Sequence, residues 1–182
     1  ASLLSMSLIL SVFFTLQYHH AILIPKDNRD IDGLTRLSIL ISIVVLIICF
    51  LIFFLLNENL FELPLIKELN GLILWAPLLA FLLSLNQVFI NWFSKQKKFK
   101  TISSNNILIS FLNNSIAVLL GTMSFGVIGL VFSKLIANSL SFIRYLFHFI
   151  KTDKSKNNFD EIKSLSKEYN KFPKITLYHS LF

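Results

Sequence analysis

The sequence predicts an all-α, polytopic transmembrane helix bundle, and three observations carry that prediction. Hydrophobic residues fill 54% of the 182 positions and charged residues only 15%, against roughly 25% charged in a soluble domain. The mean hydropathy is +0.69. The charges are clustered, so the runs between them reach the roughly 20 apolar residues a helix needs to cross a hydrocarbon core of about 30 Å. The same composition excludes a disordered chain, which needs low hydrophobicity and high charge. A lone cysteine, Cys49, excludes an internal disulfide framework or a cysteine metal cluster. The runs lack the period-two alternation of an outer-membrane barrel, so each must satisfy its own backbone as a helix.

The elements follow in order along the chain. Ala1–Pro25 is uncharged and forms the first span. Leu37–Asn57, nearly all aliphatic and aromatic, forms the second and faces lipid. Leu69–Ser94 forms the third; Trp75 and Trp92 bracket it as interfacial anchors, and Pro77 bends its outer third. The next run is too long for one span and breaks at Gly121–Gly126, giving Ile102–Leu120 and Val127–Phe149. The last of these contains Lys134 and Arg144. Beyond it, Asn158 and Glu161 have capping-box spacing. Phe159, Ile162, Leu165, Tyr169 and Phe172 fall near one helical face, with Lys156, Lys163, Lys167 and Lys171 largely off it. That pattern fits a basic amphipathic helix on the anionic inner leaflet or a solvated linker helix, and both readings stay open. Pro173 then opens a further span. The organisation is a five-span lobe over 1–150, an amphipathic cytoplasmic linker over 151–172 and the start of another span over 173–182. The chain begins inside one apolar run and ends at the start of another, which reads as an internal part of a longer protein.

Loop charge gives orientation, because Lys and Arg stay cytoplasmic. Lys26, Arg29 and Arg36 lie in the first loop, Lys67 alone in the second, and Lys95, Lys97, Lys98 and Lys100 in the third. The Gly121–Gly126 turn has none, and the tail after Phe149 is lysine-rich. The alternation places loops one and three and the tail in the cytoplasm. It also accounts for the net charge of +7 without a nucleic-acid partner.

Polar stripes run at helical spacing through four spans: Ser7, Ser11, Thr15, Tyr18; Ala80, Ser84, Gln87, Asn91; Asn106, Ser110, Asn113, Asn114, Ala117, Gly121; and Lys134, Asn138, Ser141. Small polar residues are also the ordinary glue between membrane helices. Lys134 is different, since a lysine at the bilayer centre costs about 2.5–3.5 kcal/mol on insertion scales. It marks either a polar lumen or an ion pair with an acid elsewhere. The candidate substrate-binding residues are Lys134, Asn138, Ser141, Gln87, Asn91, Asn113 and Asn114. His19 and His20 end the first span. As neighbours about 100° apart on a helix they cannot easily share a metal, so they are interfacial polar residues or proton sensors. No GxGxxG, P-loop, HExxH or GxSxG motif occurs. No catalytic residue, metal or cofactor is expected.

Four segments resemble one family. Gln17-Tyr18-His19-His20-Ala21-Ile22-Leu23-Ile24-Pro25-Lys26-Asp27 resembles the RYExAIxLPxD segment of bacterial polysaccharide flippases of the O-antigen, Wzx-like type. Asn91-Trp92-Phe93-Ser94-Lys95-Gln96-Lys97-Lys98-Phe99-Lys100 resembles their WLxRxKxFK loop. Phe125-Gly126-Val127-Ile128-Gly129-Leu130 resembles a following fGxxGL turn, and Tyr169-Asn170-Lys171-Phe172-Pro173-Lys174 their YxxFPK segment. Gln17 and His19 stand where the family often has Arg and Glu, and Lys134 where an uncharged polar residue is expected. The resemblance implies one lobe of a MATE-like two-lobe transporter, covering about the second to sixth spans, with alternating access to a central cavity. It implies a multi-pass protein of the bacterial inner membrane. This protein would turn a polyprenyl-diphosphate-linked oligosaccharide outward for surface polysaccharide or lipopolysaccharide synthesis. Its partners would be that lipid-linked oligosaccharide, membrane lipid and other polysaccharide assembly proteins.

Three other functions compete. A cation-coupled multidrug exporter of the same fold predicts an intramembrane carboxylate, and none of the ten Asp and Glu residues falls in an expected span. A polysaccharide polymerase or glycosyltransferase predicts a large outer loop rich in Arg, His or Asp. Asn57–Asn70 holds only Glu58, Glu62, Lys67 and Glu68 as charged residues. A purely structural membrane subunit is the third.

Overall fold

The computed structural model describes residues 2–55, 74–152 and 159–170. The loop 57–70, the cap at Asn158 and the segment 173–182 lie outside the described residues. The rest is helical: α1 Ser2–Phe14, α2 Tyr18–Ala21, α3 Asn28–Leu55, α4 Trp75–Lys95, α5 Phe99–Thr122, α6 Gly126–Thr152 and α7 Phe159–Glu168. Among these, α3, α4 and α6 are long and apolar enough to cross a membrane, and Leu3–Phe14 is a shorter apolar helix. α5 has the length, at 24 residues, but four asparagines lower its hydropathy. The protein is thus all-α, and among the described residues three helices are candidate spans; the sequence suggests five.

The first span is broken. Leu16 and Gln17 have φ of 45° and 61°, a left-handed conformation that costs an L-residue about 1–2 kcal/mol. The turn is closed by Leu16 N–H to Phe13 C=O at 3.1 Å and Tyr18 N–H to Thr15 C=O at 3.0 Å. α3 starts nine residues ahead of its apolar run, so Arg29 and Arg36 belong to the helix rather than to a loop.

α4 is the hub and packs against α1, α3 and α6. Its Pro77 is the third residue of the helix, where backbone N–H groups have no intrahelical acceptor in any case. Pro77 therefore removes no intrahelical bond, and α4 is one continuous helix from Trp75 to Lys95. One apolar core joins α2, α3, α4, α6 and α7 through Tyr18, Ile22, Ile31, Phe89, Trp92, Tyr145 and Phe149. A second, smaller one joins α1, α4 and α6 through Leu3, Leu79, Leu82, Val131 and Leu135.

Three expectations change here. Trp75 is exposed, but Trp92 is 1% exposed. It is a core residue, because its indole N–H finds a buried carboxylate (below). α3 is not uniformly lipid-facing. Thr35, Ser38 and Ser42 are buried, their hydroxyls donating to the i−4 carbonyls of Ile31, Leu34 and Ser38 at 2.8–2.9 Å. The half beyond them, with Ile43, Val44, Ile47, Phe50 and Phe54, is the more exposed. Finally, the apolar face of α7 is turned into the protein. Ile162 and Leu165 are buried in the larger core, Tyr18 Oη donates to the Ser166 carbonyl at 3.1 Å, and Arg29 pairs with Glu161.

The α5–α6 turn has left-handed Ser124 and Gly126. Phe125 N–H bonds to Leu120 C=O at 3.1 Å. Just beyond, the helices approach so closely that a Cβ on Gly129 would lie 2.8 Å from Leu120 Cβ.

Candidate functional site

α6 places Lys134, Asn138 and Ser141 at i, i+4 and i+7, on one face. Asn138 and Ser141 are buried and Lys134 is half-buried. Lys134 and Asn138 line a half-open cavity of about 240 Å³ together with Leu4 and Leu8 of α1, Leu83 of α4 and Asn113 of α5. The wall is mostly hydrocarbon, with one ammonium group and two amides. Among the described residues the Lys134 ammonium has no carboxylate partner.

Behind the cavity a hydrogen-bond network ties three helices. Asn86 Nδ2 of α4 donates to Asn138 Oδ1 at 3.1 Å and to its backbone carbonyl at 3.3 Å. Ser141 Oγ donates to Asn86 Oδ1 at 2.9 Å and accepts from Asn105 Nδ2 of α5 at 2.5 Å. Asn138 Nδ2 donates to the Lys134 carbonyl at 2.8 Å. Ser133 Oγ donates to Asn113 Oδ1 at 3.2 Å. Such bonds satisfy groups that would otherwise be costly in a low-dielectric interior.

The seven candidates therefore separate. Lys134, Asn138 and Asn113 share the cavity, and Ser141 braces it from behind. Asn114 is exposed. Gln87 is exposed and reaches Asn91 at 3.4 Å, while buried Asn91 donates from Nδ2 to the His19 carbonyl at 2.9 Å, near α2. Asn86 and Asn105 are the members that sequence reasoning missed. Each belongs to a doublet, Asn86-Gln87 and Asn105-Asn106. The stripe spacing selected Gln87 and Asn106, whereas packing buries Asn86 and Asn105. The doublets themselves were the available signal.

His19 is buried with Nδ1 2.6 Å from Thr15 Oγ1, and His20 is exposed. The imidazoles do not diverge as expected. Their centroids are 4.1 Å apart with a 37° tilt.

At the opposite end of α4, two of the motif segments lock together. Trp92 Nε1 donates to Asp32 Oδ1 at 2.7 Å, and the Lys98 ammonium stands 5.4 Å from the Trp92 ring centroid. Lys95 Nζ donates to the Leu23 carbonyl at 2.6 Å. The nearby Tyr169 hydroxyl is held above its ordinary pKa by burial first, then by Glu168 and Asp30. The Lys95 bond ties the end of α4 to the chain just beyond α2.

The profile of one protein family, described as a polysaccharide biosynthesis protein, matches residues 3–171. No curated protein and no solved structure matches the chain.

Proposed function

We propose, from the premise that this chain belongs to the polysaccharide biosynthesis protein family, that it forms part of a flippase. Its cargo is a polyprenyl-diphosphate-linked oligosaccharide, turned from the inner to the outer leaflet of the bacterial inner membrane. In this reading residues 1–150 form one lobe of a MATE-like two-lobe transporter, 151–172 a cytoplasmic linker and 173–182 the start of the next span. The work is binding and reorientation, with no covalent step.

The observation that carries the reading is the cavity at Lys134. A cation without a carboxylate partner among the described residues, held among hydrocarbon and beside the Asn113 and Asn138 amides, suits a ligand with an anionic group next to hydroxyls. A diphosphate joined to a sugar is such a ligand. The low dielectric strengthens the attraction, and amides hydrogen-bond sugar hydroxyls.

The test uses the full-length protein. Lys134→Ala abolishes surface polysaccharide while membrane abundance stays normal, and Lys134→Arg retains part of the activity because charge survives in another shape. Normal export by Lys134→Ala at normal abundance rejects the reading. Loss of the protein itself assigns Lys134 to a structural ion pair.

A further inference from the structure

Between Glu68 and Asp153 the chain has no acidic residue, so α4, α5 and α6 carry only positive charge. Most of these cations lie at the helix ends. Two do not. α6 runs from Gly126 to Thr152, with its midpoint at Ser139, and Lys134 and Arg144 stand five residues to either side. At 1.5 Å per residue they are about 15 Å apart along the axis, and at about 100° per residue they differ by about 80° in direction. The buried amide and hydroxyl of Asn138 and Ser141 lie between them.

Arg144 is half-buried in the seam between α6 and α5. Its Nη2 donates to Ser104 Oγ at 2.8 Å and its Nη1 to the Ser104 carbonyl at 3.5 Å. A guanidinium has five N–H donors in a planar fork. Ser104 orients the group while three donors and the full charge remain. A fork of this kind matches a phosphate in two-point contact.

We infer that Arg144 is a second phosphate-binding station on the same helix. The inference rests on the flippase reading and adds to it. Arg144 receives the phosphate on the cytoplasmic half of α6, and Lys134 holds it on the outer half. Asn138 and Ser141 between them are tied into the hydrogen-bond network of α4, α5 and α6. The pair divides a transfer of about 15 Å between two fixed charges, so that the headgroup leaves one as it meets the other.

Phosphate also occurs on ordinary lipid headgroups, so the test has two probes. Full-length protein in phosphatidylcholine nanodiscs is titrated with farnesyl diphosphate and, separately, with dioleoyl phosphatidic acid. Arg144→Gln and Lys134→Gln each weaken farnesyl diphosphate binding about tenfold and leave phosphatidic acid association unchanged. Ser104→Asp, which sets a carboxylate against the guanidinium while keeping the seam contact, reproduces the Arg144→Gln loss and decides the matter if Arg144→Gln does not fold. Loss with Lys134→Gln but not with Arg144→Gln or Ser104→Asp overturns the second station and leaves the flippase reading standing. Loss with neither Lys134→Gln nor Arg144→Gln overturns both. Loss of phosphatidic acid association alone in Arg144→Gln assigns Arg144 to lipid anchoring and overturns the inference.

Discussion

The indole N–H of Trp92 donates to the carboxylate of Asp32 at 2.7 Å, and both side chains are buried. This bond fastens the end of α4 to the first turns of α3, while the Lys95 bond to the Leu23 carbonyl joins the two motif segments. A hydrogen bond to a charged group contributes about 1.5–3 kcal/mol. Trp92→Phe removes the donor and keeps most of the ring. It should lower the melting temperature of the detergent-solubilised protein more than Trp75→Phe does at the exposed end of the same helix. Equal melting temperatures for the two variants would contradict the assignment.

Asn86 and Asn138 should be energetically coupled. Interhelical hydrogen bonds in membranes average about 0.6 kcal/mol and reach about 1.7 kcal/mol. A double-mutant cycle with Asn86→Ala and Asn138→Ala, read by denaturant unfolding in mixed micelles, should give a coupling in that range. Strict additivity would mean that the two amides act separately.

Gly129 and Gly121 should respond oppositely to alanine. A Cβ at 129 meets Leu120 Cβ at 2.8 Å, while a Cβ at 121 meets nothing within 4 Å. Overpacking costs about 1–3 kcal/mol, whereas Gly→Ala at an open helical site gains roughly 0.5–1 kcal/mol. Thermal unfolding of Gly129→Ala should therefore fall and that of Gly121→Ala hold or rise. Adding Leu120→Gly to Gly129→Ala should recover part of the loss.

Lys97 and Met123 should lie on opposite sides of the membrane, since one is in the lysine-rich turn and the other in the turn with no charge. Both side chains are exposed. In a Cys49→Ser background, an impermeant thiol reagent added to intact cells should label Met123→Cys and spare Lys97→Cys. Labelling of both from outside would reject the orientation.

The apolar runs made the helical architecture legible, because only a helix satisfies its backbone within one segment. Their charged extensions were not legible: α3 begins at Asn28 because Ile31 and Leu34 reach the core from a polar stretch. The break at Leu16-Gln17 was hidden too, since neither residue is a glycine that would announce a left-handed turn. For the site, the spacing of Lys134, Asn138 and Ser141 was readable from α6 alone. The choice between Asn86 and Gln87, or Asn105 and Asn106, depends on where neighbouring helices lie, which one-helix periodicity does not contain. Trp92 was misjudged for the same reason, as its partner Asp32 is sixty positions away.

α3 is rooted at one end. Ile31 to Leu37 pack into the core, while Ile43 to Phe54 present exposed faces, and its 28 residues span about 42 Å. The uncharged stretch Leu37–Leu55 spans about 28 Å, so in a bilayer thinner than that it accommodates the excess by tilting, and here the buried root is the pivot. The protein should therefore register bilayer thickness as an angle of α3, steeper in long-chain lipids and more inclined in short-chain ones. Spin labels at Phe54→Cys and Met123→Cys in the Cys49→Ser background would report that angle as a distance changing with acyl length. A distance constant across lipids would mean that α3 is held along its whole length.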